Sequence, residues 1–182
     1  MRYPNAAKGL RLMFLGRILT IAAILLIWVP LLGLLLAVAA TALEIAGIYT
    51  AGTDDENYKG ALVFAVLSLA ASLVSGFLQP GLLTSLLDAA GVIFSLLVVF
   101  SVCSTTSNLL HGLGQEALSQ RGALVVKIYA VCTAVAVVCA VLSFVPIINI
   151  AAALGSAIAS LAEIAGYVMY LLFLNSSSKA LG

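Results

Sequence analysis

The sequence predicts an all-α polytopic membrane protein. Its expected architecture is six transmembrane helices arranged as three tandem two-helix hairpins, with proline turns on the outer side and both termini cytoplasmic. Three observations carry this expectation. Hydrophobic residues make up 64% of the 182-residue chain and charged residues only 8%, against roughly 45–50% and about 25% in soluble domains. The apolar residues come in long unbroken runs, not at alternating or heptad positions, as a helix needs to cross about 30 Å of hydrocarbon. The basic residues Arg2, Lys8, Arg11, Arg17, Lys59, Arg121, Lys127 and Lys179 fall at the N-terminus, in two connections, at the start of odd-numbered helices or in the tail. The turns at Pro30, Pro80 and Pro146 carry no charge. Because cytoplasmic loops collect Lys and Arg, this distribution directs the basic ends inward. A bacterial-type inner (cell) membrane is the expected location.

The spans follow in order. A polar, basic stretch precedes helix 1, expected over 10–29, which carries Arg11 and Arg17 early and Trp28 at its far end, where an interfacial aromatic belongs. Read as a signal peptide, Arg2–Arg17 would be the n-region, 18–36 the apolar core and Ala37-Val38-Ala39 the cleavage-like site. That n-region is long and apolar spans continue to the end, so helix 1 reads as a membrane helix. Helix 2 is expected over 31–51, and an acidic loop, Asp54-Asp55-Glu56, follows it. Thr53 and Glu56 have capping-box spacing ahead of helix 3, expected over 61–78. Helix 4 is expected over 82–106 and ends in the polar run Cys103–Asn108; 111–121 then reads as a loop or interfacial helix containing His111. Helices 5 and 6 are expected over 123–145 and 147–174. A four-span count would require 18–51 to cross once, which is too long even for a tilted helix.

The whole chain, 1–182, reads as one membrane domain with an internal repeat over 8–58, 59–120 and 121–182. Lys8-Gly9, Lys59-Gly60 and Arg121-Gly122 each open an outgoing helix, and a proline marks each turn. An acid then sits in each returning helix: Leu43-Glu44-Ile45-Ala46-Gly47, Leu87-Asp88-Ala89-Ala90-Gly91 and Ala162-Glu163-Ile164-Ala165-Gly166. All three units have the same orientation, as in parallel repeats about an axis along the membrane normal. Small residues flank each acid at helical spacing, which lets membrane helices approach closely. The acids are therefore expected to face the protein interior.

Glu44, Asp88 and Glu163 are the candidate site, with Arg17 and Lys127 as candidate charge partners. An ionised carboxylate at the bilayer centre costs at least about 2.5–3.5 kcal/mol, so three of them call for a reason. One reading makes them a proton or cation site. The other makes them pins, neutral or paired, that fix helix packing. Tyr49, Tyr129, Tyr167 and Tyr170 read as packing or interface residues.

Other chemistry has little support. Cys132 and Cys139 share a helix face but lie about 10 Å apart along it, Cys103 is distant in sequence, and His111 stands alone. No disulfide, metal or cofactor is expected. No nucleophile–base pair or phosphate-cradling loop appears, so an enzyme is not expected. There is no basic stripe for nucleic acid. The expected partners are the lipid bilayer and a protein partner or further copies of the chain, met through small-residue helix faces. The expected role is a non-enzymatic membrane subunit or scaffold. The alternatives are a small proton- or cation-linked transporter or channel, and a solute-binding transporter subunit.

Overall fold

The computed structural model describes residues 3–26, 28–79, 81–142 and 149–182, with side chains described except at 30, 82, 136, 139–142 and 149–163. Their regular secondary structure is all α-helix: α1 (Pro4–Leu25), α2 (Pro30–Ala51), α3 (Tyr58–Phe77), α4 (Leu82–Gly112), α5 (Glu116–Leu142) and α6 (Asn149–Leu181). Four stretches among the described residues are long and apolar enough to cross a membrane: Leu31–Ala51, Tyr58–Phe77, Leu83–Gly112 and Glu116–Val135.

Neighbours in sequence pack antiparallel. On α1 and α2, a Cβ added at Gly9 would meet the backbone N of Ala51 at 2.7 Å, and one at Gly16 the backbone O of Ala40 at 2.8 Å. Only glycine permits that approach. On α3 and α4, Ser68 Oγ donates to Gly91 O (3.1 Å), and a 2.7 Å hydrogen bond joins the buried hydroxyls of Tyr58 and Thr106. On α5 and α6, Gly122 lies against Phe173 and Gly166 against Ile128 and Tyr129. α5 also packs on α4, and α6 returns to α1, so the helices close into a ring; α2 against α3 is its loosest junction.

Among the described residues the buried core is one-sided. Its members include Leu10 and Met13 of α1, Ile48 of α2, Tyr58 of α3, Val102 and Leu110 of α4, Val125 of α5 and Phe173 of α6. All lie in the half of the bundle that holds the chain ends and the α2–α3 and α4–α5 connections. Hydrogen bonds tie that end together. The Asp54 carboxylate accepts from Asn5 Nδ2 and from the backbone N–H of Ala6, both at 2.8 Å, and Ser107 Oγ donates to Ser119 O (3.1 Å). At the opposite end Trp28 and Phe77 are each 90% exposed, and Leu25, Leu31 and Leu83 are exposed as well.

Several expectations are corrected. α1 begins at Pro4, six residues earlier than expected, with proline at its first position, where its missing N–H costs nothing. Pro30 is the first residue of α2, directly after the α1–α2 turn, one residue earlier than the expected start; Pro80 and Pro146 lie outside the described residues. α4 does not end at the polar run. Thr105 and Thr106 are buried against neighbouring helices and Leu109 and Leu110 join the core, so the helix continues to Gly112. Just past its end comes Gly114, the one positive-φ glycine among the described residues (φ 75°), and Gln115 N–H donates back to Leu110 O (2.9 Å). His111 is accordingly helical and pairs with Glu116 at 2.8 Å. The Thr53–Glu56 capping box does not form: Thr53 Oγ1 donates back to Thr50 O, and Glu56 pairs with Lys59. In the acidic loop, Asp54 also caps α1 and Asp55 Oδ1 accepts from Asn57 N–H at 2.9 Å, while Glu56 stays exposed.

Candidate functional site

Glu44 is the acid with an elaborated environment. It lies about 10 Å before the end of α2, where Gly16 of α1 packs against Ala40 and Glu44 backbone. That close approach brings the next residue, Arg17, within reach, and its guanidinium forms an ion pair with the Glu44 carboxylate. The two side chains are only 15% and 19% exposed. Pairing answers the cost of placing either charge in hydrocarbon, and removing one partner would leave the other stranded.

α6 encloses the arginine from the other side. The guanidinium lies 5.8 Å from the ring centre of Tyr167 and 5.6 Å from that of Tyr170, within the range of cation–π attraction. Tyr167 Oη also donates to Arg17 O at 2.8 Å. Tyr129 of α5 meets Tyr170 edge-on, with ring centres 6.1 Å apart. One charge therefore joins α1, α2, α5 and α6. Two polar atoms in this cluster, Arg17 Nε and Tyr170 Oη, are shielded and make no hydrogen bond with described residues.

The Arg17–Glu44 pair borders a cavity of about 270 Å³ between α1, α2, α3 and α4. Thr41, Ser68, Ser72 and Ser95 add hydroxyls to its wall, and Ile45, Leu69 and Val98 add apolar surface. Thr41 Oγ1 is committed to Ala37 O and Ser68 Oγ to Gly91 O. The hydroxyls of Ser72 and Ser95 make no hydrogen bond with described residues. Arg17 and Glu44 offer both signs of charge here, and the serines both donate and accept.

Asp88 is arranged differently. It lies about 9 Å into α4 from Leu82, is exposed, and accepts a hydrogen bond from Ser75 Oγ of α3. It does not line the cavity that Glu44 borders. Asp88 thus meets the neighbouring helix at an exposed position, and its partner Ser75 is buried on α3. Glu163 sits on α6, but its side chain lies outside the described residues. Lys127 is exposed on α5.

Among the other sequence candidates, Cys103 and Cys132 are buried free thiols, and the side chain of Cys139 lies outside the described residues. Tyr49 is exposed, unlike Tyr129, Tyr167 and Tyr170. The cavity serines were not singled out from the sequence, because serine in an apolar helix has the same signature whether it packs or lines a chamber.

Compared with protein families, with curated proteins and with solved structures, this chain has no match. Function has to be argued from the site itself.

Proposed function

We propose that this chain is a non-enzymatic multi-pass membrane subunit whose intramembrane charges pin helices together, and which works by packing against partner helices or further copies of itself. One observation carries this reading: the two described acids are satisfied separately. Glu44 pairs with Arg17 inside the first helix pair and Asp88 accepts from Ser75 inside the second, and of these two acids only Glu44 borders the cavity. A proton path needs titratable groups that share a water-accessible route. Here the two acids whose side chains are described, Glu44 and Asp88, are each tied to the helix beside them.

In this reading all six helices span the membrane, with both termini on the cytoplasmic side of a bacterial-type inner membrane. Support comes from the gathering of the chain ends and the α2–α3 and α4–α5 connections at one end, together with exposed Lys8, Arg11, Lys59, Arg121 and Lys179. A threefold hairpin repeat is supported by the glycine three residues after each acid. Gly47 packs on Met13 of α1, Gly91 on Ala71 and Ser72 of α3, and Gly166 on Ile128 and Tyr129 of α5. Partner helices are supported by the large apolar side chains left exposed at the opposite end.

Proton and cation flux in proteoliposomes tests the pin reading, comparing wild type with the Glu44→Gln, Asp88→Asn, Glu163→Gln triple variant after folding and insertion are verified. The expected result is no flux from either protein and a lower unfolding midpoint for the variant. A wild-type flux abolished in a folded triple variant would overturn the pin reading in favour of a transporter.

A further inference from the structure

The loosest junction of the ring, between α2 and α3, is hollow at three successive levels. Near the α2–α3 connection a cavity of about 420 Å³ is lined by Ile48, Tyr49, Glu56 and Lys59 among others. In the middle lies the polar chamber of about 270 Å³ beside Arg17 and Glu44. Farther along α2 an apolar cleft of about 370 Å³ runs over Ala37, Val38 and Ala42. Thr41, Ile45 and Leu69 line both the chamber and the cleft, so the two adjoin. A polar chamber side by side with an apolar cleft on a lipid-facing seam has the polarity profile of an amphiphile: a head in the chamber and a chain in the cleft.

We propose that the α2–α3 seam is a lateral binding site for a membrane lipid with a zwitterionic head. The head enters the chamber and an acyl chain lies along Ala37, Val38, Ala42 and Leu69. The chamber's electrostatics select the head. Arg17 and Glu44 together are neutral, so a purely anionic head would approach Glu44 unfavourably, and a purely cationic one would approach Arg17 unfavourably. A zwitterion can direct its phosphate to the guanidinium and its ammonium to the carboxylate. Ser72 and Ser95, whose hydroxyls are uncommitted, can bond either group. The chamber's volume lies near the lower end of that of ligand pockets, which suits a small head such as phosphoethanolamine. This inference stands on the cavities and does not depend on whether the chain has protein partners.

The test uses the full chain in nanodiscs of phosphatidylglycerol containing a small fraction of phosphatidylethanolamine that bears a diazirine on its acyl chain. After irradiation, labelled positions are mapped by mass spectrometry. Enrichment is expected at Ala37, Val38, Ala42 and Leu69 over the exposed positions Leu83, Leu86 and Val131, with competition by unlabelled phosphatidylethanolamine. A matching phosphatidylglycerol probe should show no enrichment. Ser72→Leu and Ser95→Leu, read separately, fill the chamber and should lower seam labelling by about tenfold; Val131→Leu should not. Unfolding midpoints identify any variant that fails to fold, and the competition experiment needs no variant. Uniform labelling of all exposed positions would mean annular lipid only and would overturn the site. Equal enrichment of the anionic probe would overturn the assignment of the head. Seam labelling unchanged in both folded filling variants would overturn the role of the chamber.

Discussion

The two ends of this bundle are built on different terms. At the end holding the chain termini, glycines bring backbones into contact, tyrosine and threonine hydroxyls bond across helices, and a carboxylate caps a helix from a distant loop. At the end near Trp28 and Phe77, large apolar side chains point outward and the helices leave Asp88 open. The first end is held by its own contacts. The second needs an apolar surrounding, lipid or partner helices, to make its exposed leucines tolerable. Two carboxylates in near-identical sequence contexts therefore have different roles: Glu44 lies toward the closed end and is locked, whereas Asp88 lies in the open end and holds one hydrogen bond.

The contrast between the acids should give the largest effect. Glu44→Gln strands Arg17 and is expected to cost about 3 kcal/mol, as breaking buried pairs does. Asp88→Asn keeps an acceptor for Ser75 and should fall within about 0.5 kcal/mol of wild type. Equilibrium unfolding in mixed micelles measures both; equal costs would erase the distinction.

Glycines sharpen it next. At Gly47 a Cβ would stand 2.7 Å from Met13 Cγ and 2.9 Å from Met13 backbone N, whereas at Gly76 nothing lies within 4 Å. Gly47→Ala should destabilise by about 1–3 kcal/mol through overpacking. Gly76→Ala should be neutral or stabilise by up to about 1 kcal/mol, because alanine has less backbone freedom to lose. Unfolding midpoints of the two variants on either side of wild type are the expected readout.

At the closed end, Asp54→Ala removes the cap of α1 and should cost about 1 kcal/mol. Faster hydrogen exchange should appear at the first turn of α1 and not at α3. Smallest of all is the exposed Glu56–Lys59 pair. The hydrogen bond and charge of Lys59 hold the Glu56 carboxyl below its ordinary value. A lowered folded value means that the pair contributes fully above the ordinary glutamate range and fades as pH falls through the lower value. Lys59→Gln should return Glu56 to the ordinary range in a titration followed by NMR, with no measurable change in unfolding midpoint.

Much of this was legible in the chain. Unbroken apolar runs predicted helices, and charges inside them pointed to Arg17, Glu44 and Asp88. Which neighbour each charge meets depended on how helices associate. Glu44 and Asp88 share a motif, yet one packs under Gly16 and the other opens outward. Thr53 and Glu56 had the spacing of a cap, but Lys59 and the Thr50 carbonyl bind them first, and the cap of α1 comes from Asp54, which is remote in sequence. The polar run Cys103–Asn108 resembled a helix end because its burial by α3 and α5 is a tertiary fact. Ser72 and Ser95 gave no local signal at all, since a hydroxyl facing a chamber and one facing a neighbouring helix share the same periodicity.

The most direct test of the pinned charge is a double-mutant cycle on Arg17→Met and Glu44→Gln, read as unfolding free energy in lipid-containing micelles. Strong coupling is expected, with the double variant more stable than Glu44→Gln alone because no charge is left without a partner. Additive losses would contradict the pin and return Glu44 to the status of an independent, titratable acid.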